Sequence, residues 1–116
     1  MKVLIILNDP PYGTERSYNG FRLAMSLGRK PDTHVKMFLM GDAAGCAKSG
    51  QSLPQGYYNL ERMVGSVLKQ GGAVGVCGTC LDARGIRETE LAAGAHRSSM
   101  DELTAWTLET DKVIVF

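Results

Sequence analysis

The chain has 116 residues, enough for one domain that buries its own core without disulfide staples. Hydrophobic residues make up 44% and charged residues 22%, and the formal net charge is +1, so no basic or acidic field points to nucleic acid, a membrane surface or a polyanion as partner. The apolar run behind Met1 is far too short to cross a bilayer and carries no cleavage site, and an odd count of 3 cysteines argues against a disulfide scaffold; a cytoplasmic protein with a single domain over residues 1–116 is expected.

Residues 3–7 form an unbroken aliphatic run without in–out alternation, the pattern of a parallel strand covered on both faces. Behind it, Asn8-Asp9-Pro10-Pro11-Tyr12-Gly13-Thr14-Glu15-Arg16 reads as a βα connection. The prolines stiffen it, Gly13 permits an unusual backbone angle, Thr14 can cap the next helix, and Tyr12 and Arg16 could line a cleft. The loop matches neither a Walker A sequence nor GxGxxG, so nucleotide binding is not supported. Tyr18, Phe21, Ala24 and Met25 make an apolar helical stripe closed by Gly28.

Residues 34–40 read as a second strand. In the following Met40-Gly41-Asp42-Ala43-Ala44-Gly45-Cys46-Ala47, Asp42 and the small residues suit a tight turn. Residues 48–56 are the most loop-like stretch. Leu60, Met63, Val64, Val67 and Leu68 then fall at i, i+3, i+4, i+7 and i+8 of a helix, capped by Asn59 and ended by Gly71-Gly72. Residues 73–76 are a short third strand. Residues 86–93 leave room for another, which periodicity does not settle. Ser99-Met100-Asp101-Glu102 has capping-box spacing and opens a helix that turns Met100, Leu103 and Trp106 inward. Residues 112–116 form the last strand.

This order of elements is that of a doubly wound α/β domain. Right-handed crossovers place all strand carboxyl ends on one edge, where ligands and reactive groups collect. Cys77-Gly78-Thr79-Cys80 directly follows the third strand and so lies on that edge. Backbone N–H groups and the helix dipole there favour the thiolate of Cys77, the form that attacks or accepts sulfur. Arg84 and Arg87 add positive charge if they fold back, and Gly78 leaves room for another backbone or a substrate. Four readings of the pair stand open: two core cysteines, half of a zinc site, a thioredoxin-type dithiol, or one nucleophilic sulfur-carrying Cys77 with Cys80 as helper. Cys46 is either a small buried residue or a third thiol near Cys77. His34 is expected at the surface, and His96 is the better histidine for the reactive edge.

The motifs resemble the DsrE/DsrF/TusD-like sulfur-relay family nearly end to end. The resemblance rests on Pro11-Tyr12-Gly13-Thr14, Met40-Gly41-Asp42-Ala43, Gly56-Tyr57-Tyr58-Asn59-Leu60-Glu61 and Cys77-Gly78-Thr79-Cys80-Leu81-Asp82-Ala83-Arg84-Gly85, with the helix at Ser99-Met100-Asp101-Glu102-Leu103 and the strand Val113-Ile114-Val115-Phe116. It implies a three-layer α/β/α fold with a mostly parallel, five-stranded sheet, and a homo-oligomer, trimeric or hexameric. It implies that Cys77 carries a persulfide between a donor and an acceptor protein, with no metal or organic cofactor. Cys80 would resolve the Cys77 persulfide, releasing sulfide and leaving a disulfide, or support Cys77 as a second thiol; Gly78, Thr79 and Arg84 would support Cys77, and Tyr12, Gly13 and Thr14 would shape the cleft. The tRNA-thiolating members have one thiol where this chain has two. Two rival functions remain: a non-catalytic oligomeric binding module, and a dithiol redox protein using Cys77 and Cys80.

Overall fold

The computed structural model describes residues 1–116. Five strands, β1 (Lys2–Leu7), β2 (His34–Leu39), β3 (Ala73–Cys77), β4 (His96–Ser98) and β5 (Lys112–Val115), form one sheet in the order β4-β3-β2-β1-β5. Every adjacent pair is parallel. Four α-helices accompany them: α1 (Arg16–Gly28), α2 (Leu60–Lys69), α3 (Gly78–Ala83) and α4 (Met100–Glu109). Two 3₁₀ turns, Gly41–Ala47 and Glu88–Glu90, complete the chain. No helix is long and apolar enough to cross a membrane.

The sheet divides the core into two. On one face Val3, Ile5, Leu7, Val35, Met37, Leu39, Val74 and Val76 pack with α1, α2 and the first 3₁₀ turn in a cluster of 21 buried residues. On the other, Leu4 and Phe38 meet Leu103 and Trp106 of α4, with Ile6, Met40, Ala73 and Cys77 at the margin. This makes three layers, the α4 layer being the thinner. Strand alternation explains the split: residues of one parity bury against α1 and α2, the other parity against α4. Gly75 lets α4 approach, since a Cβ there would lie 3.1 Å from the Trp106 ring and 3.3 Å from Glu102 Oε1.

Local chemistry fixes the ends. Asn59 accepts from the Arg62 N–H at 3.1 Å and caps α2. At the other end Gly71 N–H donates to Leu68 C=O and Gly72 N–H to Val67 C=O, the paired bonds of a Schellman closure. Ser99 caps α4, but only half of the expected box forms, because the Glu102 carboxylate turns to Ser98 and His96. Thr14 does not cap α1. Its hydroxyl donates to Asp9 Oδ2 at 3.0 Å, and the residue at the cap position, Glu15, makes no side-chain bond.

The remaining strand lies at His96–Ser98, beyond residues 86–93. The apolar signal of Leu91 and Ala92 comes from burial in the larger core, and Leu91 makes only an isolated antiparallel bridge with Lys48. Glu88 and Glu90 in the turn before it bond the Arg97 and Arg87 backbone N–H groups.

Candidate functional site

Cys77 is the last residue of β3 and the cap residue of α3, so its side chain leaves the sheet where the first N–H groups of a helix are free. Alternation puts it on the α4 face, next to Ser98, its register partner on β4. It is half-buried, and Thr79 Oγ1 lies 3.3 Å from its sulfur. Burial opposes its ionisation. The Cys80 thiol, the Thr79 hydroxyl and the backbone N–H groups of Cys80 and Thr79 outweigh that penalty and hold Cys77 below the ordinary thiol range.

Cys80, one turn later in α3, has the opposite bias. Burial raises its pKa first, and the hydrogen bond it gives to Cys77, with the charge of that neighbour, raises it further. The Gly41 N–H, donating to Cys80 Sγ at 3.1 Å, and Arg84 lower it in part. The pair is therefore biased in opposite directions, Cys77 toward thiolate and Cys80 toward thiol.

A cleft of about 300 Å³ opens beside Cys77. Cys77, Gly78 and Thr79 form one side, Arg97, Ser98 and Ser99 another, with the buried Phe38 and the exposed Met100 completing it. Arg97 is gripped by Asp82 through two bonds of 2.8 and 2.9 Å. That grip stabilises its cationic form against burial, with smaller contributions from the charges of Glu88 and then Cys77. The guanidinium lies across Gly78, where a Cβ would come within 2.9 Å of Arg97 Cζ and of the Ser98 carbonyl. The space kept free at Gly78 is thus filled by β4 itself. Behind the cleft, Ser98 donates to Glu102 Oε1 at 2.5 Å and the His96 ring bonds the same oxygen. Burial works against the Glu102 carboxylate, but Ser98 and His96 keep it ionised and lower its pKa.

Of the residues singled out in the sequence, the fold gathers Cys77, Gly78, Thr79 and Cys80. Arg84 stands apart from Cys77: it bonds Asp42 Oδ1 at 2.6 and 3.2 Å and the Cys80 carbonyl at 3.1 Å, and its charge acts on Cys80. Tyr12 turns to α2, donating to Gln51 at 2.5 Å, accepting from Leu60 N–H and stacking on Tyr58. Gly13 takes φ +99° at the exposed bend, and Thr14 serves Asp9. These three residues and Arg84 do not line the cleft. Cys46 is fully buried in the larger cluster, on the side of α1 and α2, and burial pushes its thiol up to about 12. His34 is exposed at the start of β2, and His96 faces α4, edge-on to Trp106. No three His, Cys, Asp or Glu side chains gather as a metal site.

The sequence reading missed Arg97, Ser98, Phe38 and Met100 as cleft residues and Gly41 as a donor to Cys80. The first four reach Cys77 through the pairing of β4 with β3, of β2 with β3, and the docking of α4. No local spacing encodes such contacts. Gly41 did leave a signal, a glycine–aspartate turn at a neighbouring strand end.

The model of the DsrE/DsrF-like family matches residues 1–116. Protein YchN of Escherichia coli is 37% identical over 116 residues, covering 99% of this chain and 98% of that protein. Uncharacterized protein MJ0989 of Methanocaldococcus jannaschii is 34% identical over the full length of both. The crystal structure of the E. coli ychN protein superposes with a TM-score of 0.93 over 99% of this chain and 98% of that one. A Methanobacterium thermoautotrophicum protein of unknown function, MTH1491, shares the fold at a TM-score of 0.75 and 14% identity, over 99% of this chain and 97% of its own.

Proposed function

The chain belongs to the DsrE/DsrF-like family, and from that premise we propose that it carries sulfane sulfur as a persulfide on Cys77. The observation that carries this reading is the position of one thiol, favoured as thiolate by Thr79, Cys80 and two backbone N–H groups, in an open cleft at the carboxyl end of β3. The thiolate attacks the outer sulfur of a donor persulfide: the new Cys77–sulfur bond forms, the donor S–S bond breaks, and the donor leaves as its thiolate. Gly78 and the Arg97–Asp82 pair keep the cleft wall fixed. The same cleft then presents the outer sulfur to an acceptor.

The chain works as a homo-oligomer in this reading. Val113 and Val115 pair with Leu4 and Ile6 on the α4 face, yet α4 leaves Val115 62% exposed, and Met100 beside the Cys77 cleft is bare as well. A second copy covering that face would bury apolar surface that otherwise meets water.

Incubating the reduced protein with a persulfide donor and weighing it intact tests the carrier role. Read on Cys80→Ser, which retains what Cys77 accepts, the chain gains one sulfur, and it gains none when Cys77→Ser is added. A gain that survives Cys77→Ser removes Cys77 from the role.

A further inference from the structure

Cys80 has surroundings that a carrier with one working thiol does not need. Its sulfur receives the Gly41 N–H at 3.1 Å, so a thiolate formed there meets a donor already in place. Arg84 holds the Cys80 carbonyl at 3.1 Å and ties α3 to the turn after β2 through Asp42 at 2.6 Å, and its charge favours the thiolate of Cys80. Cys77 and Cys80 stand three residues apart, at the cap and in the first turn of α3, a spacing that makes them neighbours on one face of the helix start. The remaining cysteine, Cys46, is sealed in the larger core and takes no part.

We infer that Cys80 resolves the loaded Cys77, releasing the carried sulfur as hydrosulfide, so that the pair is a persulfide-reducing centre for low-molecular-weight persulfides. The inference rests on the carrier reading, since Cys77 must first accept the sulfur. The cleft of about 300 Å³ has room for the end of such a donor. In the resolving step the Cys80 thiolate attacks the inner sulfur, Sγ of Cys77. The Cys77–Cys80 disulfide forms, the bond from Cys77 Sγ to the outer sulfur breaks, and the outer sulfur leaves as HS⁻ with that electron pair. Cys80 gives its proton to solvent. The two thiols are oxidised to a disulfide, and the sulfane sulfur is reduced to sulfide. An external thiol or dithiol then returns the disulfide to two thiols. An acceptor thiol that arrives before Cys80 attacks diverts the sulfur into relay.

The test uses the full chain, reduced, desalted and kept anaerobic, with one equivalent of glutathione persulfide, reading released sulfide and intact mass together. The wild type releases close to one sulfide per chain and ends two hydrogens lighter, with the disulfide mapped to Cys77 and Cys80. Cys80→Ser and Cys80→Ala, each checked for native circular dichroism, finish one sulfur heavier at Cys77 and release sulfide more than tenfold more slowly. A wild type that keeps its added sulfur and releases none, or a Cys80 variant that releases sulfide at the wild-type rate, overturns the inference and leaves the carrier role standing. A wild type that releases no sulfide, with a Cys80→Ser variant that gains no sulfur, overturns both.

Discussion

Two cysteines three residues apart receive opposite treatment from their neighbours. Cys77 is favoured as thiolate and Cys80 as thiol. Iodoacetamide at neutral pH should therefore modify Cys77 well before Cys80, whereas a non-catalytic binding module has no reason to keep a fast thiol. Thr79→Val removes the hydroxyl at 3.3 Å and should slow Cys77 alkylation about threefold at neutral pH, an effect that fades above the free-thiol range. The linkage follows with its sign. Because folding lowers the Cys77 pKa, its contribution to stability is complete above the unfolded value and is lost as pH falls through the folded one. Cys46 has the opposite sign. Held near 12 in the fold, it stays protonated while the unfolded chain ionises from about 8.5 upward, so stability falls there by about 1.4 kcal/mol per pH unit from this group. Urea titrations at pH 9 and pH 11 should show a smaller loss for Cys46→Ala than for wild type; equal losses would remove Cys46 as the cause.

At the scale of elements, α2 and the β3–α3 junction carry the clearest consequences. Asn59→Ala deletes the cap of α2 and should cost about 1 kcal/mol in chemical denaturation. Gly78→Ala drives a Cβ against the Ser98 carbonyl and Arg97, and should cost about 1–3 kcal/mol while altering Cys77 reactivity; unchanged stability and reactivity would show that β4 gives way freely. The elements also show what a sequence can reveal. β1, β2 and β3 were legible because parallel strands with covered faces read as apolar runs, and β5 because Val113, Ile114 and Val115 are β-branched in a row, though its faces stay largely exposed. β4 was not, because it is three polar residues, His-Arg-Ser, on a sheet edge, held by its ladder with β3 and by Glu102 and Asp82. The helix of Leu60, Met63, Val64 and Val67 was legible through its period, and Cys77 through its place after β3. The direction of Tyr12 was not legible because a loop on the ligand edge can turn to either side, and here the Leu60 N–H and Gln51 draw it to α2. Arg84 reaches Cys80 rather than Cys77 because its partner, Asp42, stands 42 residues away in sequence, where no local spacing shows it.

For the whole molecule, the unequal layers matter most. α1, α2 and the first 3₁₀ turn cover one face of the sheet, while α4 alone covers the other and leaves Val113, Val115, Met100 and Leu108 exposed. Sedimentation at micromolar concentration should give a mass above that of a single 12.5 kDa chain, and Val115→Glu should shift it toward the single chain. A wild type that sediments as one chain would mean that this face stays open and that the cleft works without a neighbour.

The carrier role of Cys77 is tested most directly by intact mass after exposure to a persulfide donor, read on Cys80→Ser so that added sulfur stays in place. The expected result is one added sulfur per chain, absent when Cys77 is also replaced by serine. An unchanged mass, or the same gain without Cys77, contradicts it.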